Sequence, residues 1–194
     1  MTISGLQKMT LLDYPGKVAC TVFLQGCNYR CPFCHNSELL EGKAEPLMTV
    51  EEFLVFLKKR VGLLDGVCVS GGEPTLSPGL RDLLAAIKER GFAVKLDTNG
   101  SRPEVLKALV AEGLVDYVAM DIKNAPSRYA ETCGVSRIDL AAIEESAAFL
   151  MSGASIPRSH SLDKSFSISR TRVCGNSSNT RNRAGNHRTN DDCF

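Results

Sequence analysis

The chain has 194 residues, 43% of them hydrophobic, and a formal net charge of +1, which suits one domain with an ample core. So small a charge gives no general attraction to nucleic acid or to an acidic membrane surface, and no apolar run nears the roughly 20 residues that span a bilayer. The first residues lack the basic, apolar and small-residue order of a secretion signal; a reducing cytoplasm is the expected compartment, with cysteines as thiols.

Val18 to Leu24 is a continuous apolar run followed by Gly26, the pattern of a strand buried on both faces. Directly after it come Cys27, Cys31 and Cys34, three thiols within eight residues. A four-iron, four-sulfur cluster normally takes four thiolates, so a tight set of three implies one iron left open to a small molecule. A closed zinc site built from the same cysteines and His35 is the plainer alternative, although such sites combine two separated ligand pairs and no second pair lies nearby.

Thr49 to Glu52 reads as a capping box opening a helix whose stripe is Phe53, Leu54, Phe56 and Leu57. Val67 to Ser70 is a second strand that exits through Gly71-Gly72-Glu73-Pro74. Ser77 with Pro78 is expected to start the next helix and Gly91 to stop it. Phe92 to Leu96 is a third strand ending in Asp97-Thr98-Asn99-Gly100, and Ser101 with Glu104 reads as a further capping box before a helix closed by Gly113. Leu114 to Met120 is a fourth strand ending in Asp121-Ile122-Lys123, and a fourth helix is expected over 138–151.

Strands alternating with helices predict an α/β fold with a parallel sheet and right-handed crossovers. Ligands of such sheets bind at the carboxyl ends of the strands. All four polar motifs fall at those ends, so the cysteines, Gly-Gly-Glu, Asp-Thr-Asn and Asp-Ile-Lys are expected to face one cavity. Cys20 and Cys68, inside strands, read as inert buried thiols. Cys133 reads as a bystander and His35 as a hydrogen-bonding loop residue.

With these residues in view, the sequence resembles the radical S-adenosylmethionine enzymes, whose cluster motif is C-x3-C-x-aromatic-C, here with Phe33, and whose second strand leads into Gly-Gly-Glu-Pro. The runs Gly5-Leu6-Gln7-Lys8, Leu12 to Lys17 and Cys31 to Asn36 resemble the anaerobic ribonucleoside-triphosphate reductase activating proteins, relatives of the pyruvate formate-lyase activating enzymes. The resemblance covers about residues 3–153. It implies a partial (β/α)6 barrel, of which four βα units are recognisable. It also implies a 4Fe-4S cluster on Cys27, Cys31 and Cys34, with S-adenosylmethionine chelating the open iron.

Reductive cleavage of that cofactor then yields a radical that takes a hydrogen atom from a glycine of a partner, here anaerobic ribonucleotide reductase, with flavodoxin or ferredoxin as electron donor. By the same resemblance Gly71 and Gly72 permit close backbone approach and Glu73 accepts from the cofactor's ammonium group. Asp97 and Asn99 add polar contacts, Lys123 pairs with its carboxylate, and Phe33 shields the cluster. Asp97, Thr98 and Asp121 would hold a monovalent cation. No catalytic residue beyond the cluster and cofactor is implied. A small-molecule enzyme resembling 7-carboxy-7-deazaguanine synthase and an inactive truncated iron–sulfur module are the alternatives.

Near Gly153 the composition changes. Residues 154–194 carry Arg158, Lys164, Arg170, Arg172, Arg181, Arg183 and Arg188 against Asp163, Asp191 and Asp192, with no Glu and few large apolar residues. Domain boundaries follow: 1–153 as the barrel core and 154–194 as a polar basic tail. That tail is read as a disordered arm, a divergent folded end or, as favoured by the abrupt break, a frame-shifted stretch in which Cys174 and Cys193 have no role.

Overall fold

A computed structural model describes residues 1–40 and 45–152, and the backbone of 165–170. The chain runs β1 (Thr2–Ile3), β2 (Gly5–Thr10), β3 (Ala19–Leu24), β4 (Met48–Thr49), α1 (Val50–Lys58), β5 (Gly66–Gly71), α2 (Leu80–Glu89), β6 (Ala93–Thr98), α3 (Pro103–Ala111), β7 (Tyr117–Ile122), α4 (Tyr129–Thr132), α5 (Leu140–Met151) and β8 (Ser165–Arg170). Six strands form one sheet in the order β2-β3-β5-β6-β7-β8. All neighbours are parallel except β2, which lies antiparallel on β3.

The alternation along each strand gives the sheet two unlike faces. Cys20, Val22 and Leu24 of β3, Val67 and Val69 of β5, Val94 and Leu96 of β6, and Val118 and Met120 of β7 pack into one core with Phe53, Leu57, Leu83, Leu84, Ile87, Leu106 and Ile143 from the helices. The intervening residues, among them Thr21, Cys68, Lys95, Asp97 and Asp121, belong to the opposite face and are mostly polar. A parallel sheet between two helical layers is apolar on both faces. Here one face is reserved for a cavity, which is the arrangement of a partial barrel.

Helix α1 is capped as the sequence predicts: Thr49 accepts from the Glu52 amide and the Glu52 side chain accepts from the Thr49 amide. Two other helix starts differ. Ser77 ends a short 3-10 turn, and α2 begins after Gly79, which takes a left-handed φ of 84°. At α3 the Ser101 hydroxyl is buried without a hydrogen-bond partner, Arg102 is the N-cap, and Glu104 pairs with Arg102 instead of reaching back. Pro103 at the first helical position already fixes φ and removes one donor, so α3 forms without the box.

The sequence reading assigned no strand before Val18, yet β2 covers the outer edge of β3. It also assigned none after 153. Within the polar segment, Ser165–Arg170 pairs in parallel along all of β7, Tyr117 opposite Ser165 and Ile122 opposite Arg170. Its apolar residues Phe166 and Ile168 recur at the strand period of two, a signal too short to stand out against the surrounding Ser and Arg. The remaining tail residues, with Cys174 and Cys193, lie outside the described residues.

Candidate metal and cofactor site

The strand ends of β3, β5, β6 and β7 open onto one cavity of about 520 Å³. Cys27, Cys31, Phe33, Cys34, Gly71, Gly72, Glu73, Asp97, Asn99 and Lys123 all line it, so the expected cluster and cofactor residues reach the same space. Ser70, Lys95 and Met120 lie there too.

The cysteine loop is tied down on several sides. Gly26 and Cys27 donate to the carbonyls of Leu39 and Leu40, and Arg30 donates its amide to the Cys133 carbonyl at 2.8 Å. The Asn36 side chain donates to the Gly71 carbonyl at 3.3 Å, and Asn99 Nδ2 donates to Asn28 Oδ1 at 2.9 Å. Cys27 Sγ accepts from the Tyr29 amide at 3.4 Å, a contact that favours a thiolate there.

Gly71 and Gly72 are required by the protein's own backbone. Gly71 has a φ of 126°, and a Cβ on it would lie 2.2 Å from the Leu24 carbonyl oxygen; one on Gly72 would lie 2.1 Å from that of Gly26. The two glycines thus press the second strand end against the first and set the floor under the cysteine loop.

Glu73 is 1% exposed. Its Oε1 accepts from the Thr75 amide and from the hydroxyls of Thr75 and Thr98, and its Oε2 accepts from the Asn99 amide at 2.6 Å. Burial pushes its carboxyl above the usual carboxylate range, against the pull of these hydrogen bonds. Glu73 therefore joins the ends of β5 and β6.

The thiols differ in character. Interaction with the Cys133 thiol leads the causes that lower Cys31 to about 7, with the Lys123 charge helping, and the same interaction pushes Cys133 up. Cys133 is fully buried, and its backbone carbonyl accepts the Arg30 amide of the cysteine loop. Burial raises Cys27, opposed by the Tyr29 amide, and lifts Cys20 to about 12. Cys68 is also raised, by burial and the Asp97 charge; it sits on the cavity face of β5, near Asp97 and Lys95.

Whether the residues fit the implied groups can be judged from these donors. Cys27, Cys31 and Cys34 are free thiols, partly exposed, at the mouth of one cavity above a glycine floor. Among the described residues no three His, Cys, Asp or Glu side chains close on a single ion. A cubane cluster instead takes each thiolate on a separate iron, and the residues fit it. A monovalent cation fits less well. Asp97 is paired with Lys95 and Asp121 with Lys123, while the Thr98 hydroxyl bonds Glu73 and accepts from the Gly100 amide.

Sequence reasoning missed Lys95, Asn28 and Asn36. Lys95 alternates with Val94 and Leu96, which placed it on the same face as Asp97; the two asparagines carried no local signal, because their partners lie 35 and 71 residues away.

A parallel sheet that gathers such motifs at its carboxyl end defines a class of cofactor-binding α/β protein. Residues 21–151 match the family model of the Radical SAM superfamily, and the chain belongs to that family, whose members use a 4Fe-4S cluster and S-adenosylmethionine. Over 131 residues it is 43% identical to a Methanocaldococcus jannaschii protein provisionally named glycyl-radical enzyme activating enzyme MJ1227, covering 66% of this chain and 53% of that one. Over 131 residues it is 36% identical to the pyruvate formate-lyase-activating enzyme of Clostridium pasteurianum, covering 63% and 52%. The chain spans about half the length of these curated relatives. The fold is similar to the solved structure of native anSMEcpe with bound AdoMet and Kp18Cys peptide, with a TM-score of 0.54 at 17% identity over 76% of this chain and 42% of that one.

Proposed function

We propose that this chain carries the core of an activating enzyme that cleaves S-adenosylmethionine and places a radical on a glycine of a partner enzyme, with anaerobic ribonucleoside-triphosphate reductase as the partner. The observation that carries the reading is the convergence of the three cysteines, Gly71-Gly72, Asp97, Asn99 and Lys123 on one cavity. The names of the two relatives support the glycyl-radical class. Bound there, the cluster would supply the electron that cleaves the sulfonium and so frees the radical that abstracts hydrogen.

The chain's own residues would bind and orient. Cys27, Cys31 and Cys34 hold the cluster, Phe33 shields it, and Lys123 presents an ammonium to the cofactor's carboxylate. Burial works against the charged form of Lys123, but its bond to Asp121 and that carboxylate's charge prevail and raise its pKa, so it remains a cation at neutral pH. Glu73, whose oxygens are committed to the protein, acts by fixing the Gly-Gly turn and Asn99. The β5 turn would then meet the cofactor's ammonium group with backbone carbonyls, and Asp97 and Asn99 would add polar contacts.

The test is anaerobic reconstitution with iron and sulfide, followed by reduction with cofactor and with candidate partners from the same genome. Methionine and 5′-deoxyadenosine in equal amounts, with a glycyl-radical resonance on a ribonucleotide reductase, is the expected result. Cofactor cleavage that never produces a protein radical on any glycyl-radical enzyme would reject the activating role. A radical formed on a different glycyl-radical enzyme would reject only the named partner.

A further inference from the structure

Lys95 is a group that neither the cysteine motif nor the glycine turn explains. It lies on the cavity face of β6, in register with Cys68 of β5, and only 7% of it is exposed. A lysine of this length ordinarily carries its ammonium out to water. Here it turns instead to Asp97 Oδ1 and lies 3.6 Å from Cys68 Sγ, while Cys68 Sγ lies 3.4 Å from Asp97 Oδ2. Cation, carboxylate and thiol close a triangle at the cavity wall. On the neighbouring strand Lys123 Nζ holds Asp121 Oδ2 in the same way, and both pairs line the cavity.

This arrangement answers an electrostatic need of the site. Two carboxylates facing one cavity repel each other and must be balanced, either by a diffusible cation or by the chain itself. Asp97 Oδ1, the Thr98 hydroxyl and Asp121 Oδ2 each have a partner within the protein, and an alkali ion at Asp97 would meet the Lys95 ammonium at close range, a like-charge contact.

We propose that Lys95 is the built-in counter-cation of this cavity, a positioning residue that holds Asp97 beside Cys68 so that the site works without a bound monovalent cation. The inference rests on the cavity being the cofactor's site in one arm of its test only.

The test compares the full-length wild type with Lys95→Met in potassium, ammonium and tetramethylammonium chloride at equal ionic strength, the last cation being too large to enter the gap. In the first arm, thermal melting of the metal-free protein, the wild type is expected to be indifferent to the cation. Lys95→Met is expected to melt lower in tetramethylammonium than in potassium or ammonium. In the second arm, calorimetry of the iron-reconstituted protein, Lys95→Met should bind S-adenosylmethionine roughly tenfold more weakly in tetramethylammonium, the scale of one lost hydrogen bond to a charged group. Potassium or ammonium should restore it.

A wild type that needs potassium for stability or binding overturns the proposal, as does a Lys95→Met variant that responds alike to all three salts. If Lys95→Met alone does not fold, the double variant Lys95→Met/Asp97→Asn, which removes both charges, should fold and show no cation dependence. Failure of that variant to recover, or a cation response in it, equally overturns the proposal. A wild type that never binds S-adenosylmethionine would refute the cofactor reading, and the melting arm would still decide Lys95.

Discussion

Glu73 Oε2 accepts the backbone N–H of Asn99 at 2.6 Å across two adjacent strand ends, and this bond couples the Gly-Gly turn to the loop that holds the cysteines. Asn99 continues the link, since its Nδ2 donates to Asn28 Oδ1 and its Oδ1 accepts from the Ser101 amide.

Glu73→Gln keeps the shape but turns an amide NH2 toward either the Asn99 amide or the Thr75 donors. At least one buried donor then loses its acceptor, and a loss of roughly 1–3 kcal/mol in folding stability is expected. Urea unfolding measures it. Cofactor affinity should fall as well because the turn is displaced; unchanged stability would show that the Glu73 bonds contribute little.

Ser101→Ala should be neutral or stabilising by up to about 1 kcal/mol, since the hydroxyl is buried without a partner and its removal relieves an unmet polar group. A marked destabilisation on thermal melting would mean that the capping role read from the sequence operates after all.

Thiol labelling of the metal-free protein should separate the cysteines by position. Cys31, held near 7, is expected to alkylate first, with a rate that rises as pH climbs through about 7 and the thiolate fraction grows. Cys27, raised by burial, should lag behind it, and Cys20 and Cys68 should stay unmodified until unfolding. Peptide-resolved mass spectrometry across pH 6 to 9 reads this order, and uniform labelling would contradict it.

Gly72→Ala tests the floor beneath the loop. Its Cβ would lie 2.1 Å from the Gly26 carbonyl oxygen, so the two strand ends must separate at a cost of roughly 1–3 kcal/mol. Iron retention after anaerobic reconstitution should fall more than for Cys20→Ala, a core thiol remote from the motif. Equal retention in the two variants would show that the loop does not need that floor.

The motifs that converge on one cavity were legible in the sequence because their signals are local. Gly71-Gly72-Glu73-Pro74 and Asp97-Thr98-Asn99-Gly100 each follow an apolar run, and the topology of parallel sheets brings such ends together. Where sequence reading failed, the deciding partner was distant in sequence or the signal was shared by two outcomes. Ser101 and Glu104 have capping-box spacing, yet Arg102 takes the glutamate and Pro103 makes the box unnecessary. Cys133 had no distinguishing neighbours in the chain, and its carbonyl meets the Arg30 amide only through the turn after α4, where a Cβ on Gly134 would lie 2.2 Å from the Arg30 carbonyl oxygen.

The several moorings of the cysteine loop have a consequence for how the protein matures. Leu39, Leu40, Gly71, Asn99 and Cys133 hold this loop from four directions with the chain's own hydrogen bonds. Small metal domains whose only scaffold is the ion must pay folding entropy at the moment of binding. A loop moored in this way is expected to keep its fold when empty, so that loading iron and sulfide fills a formed receptacle instead of folding the chain.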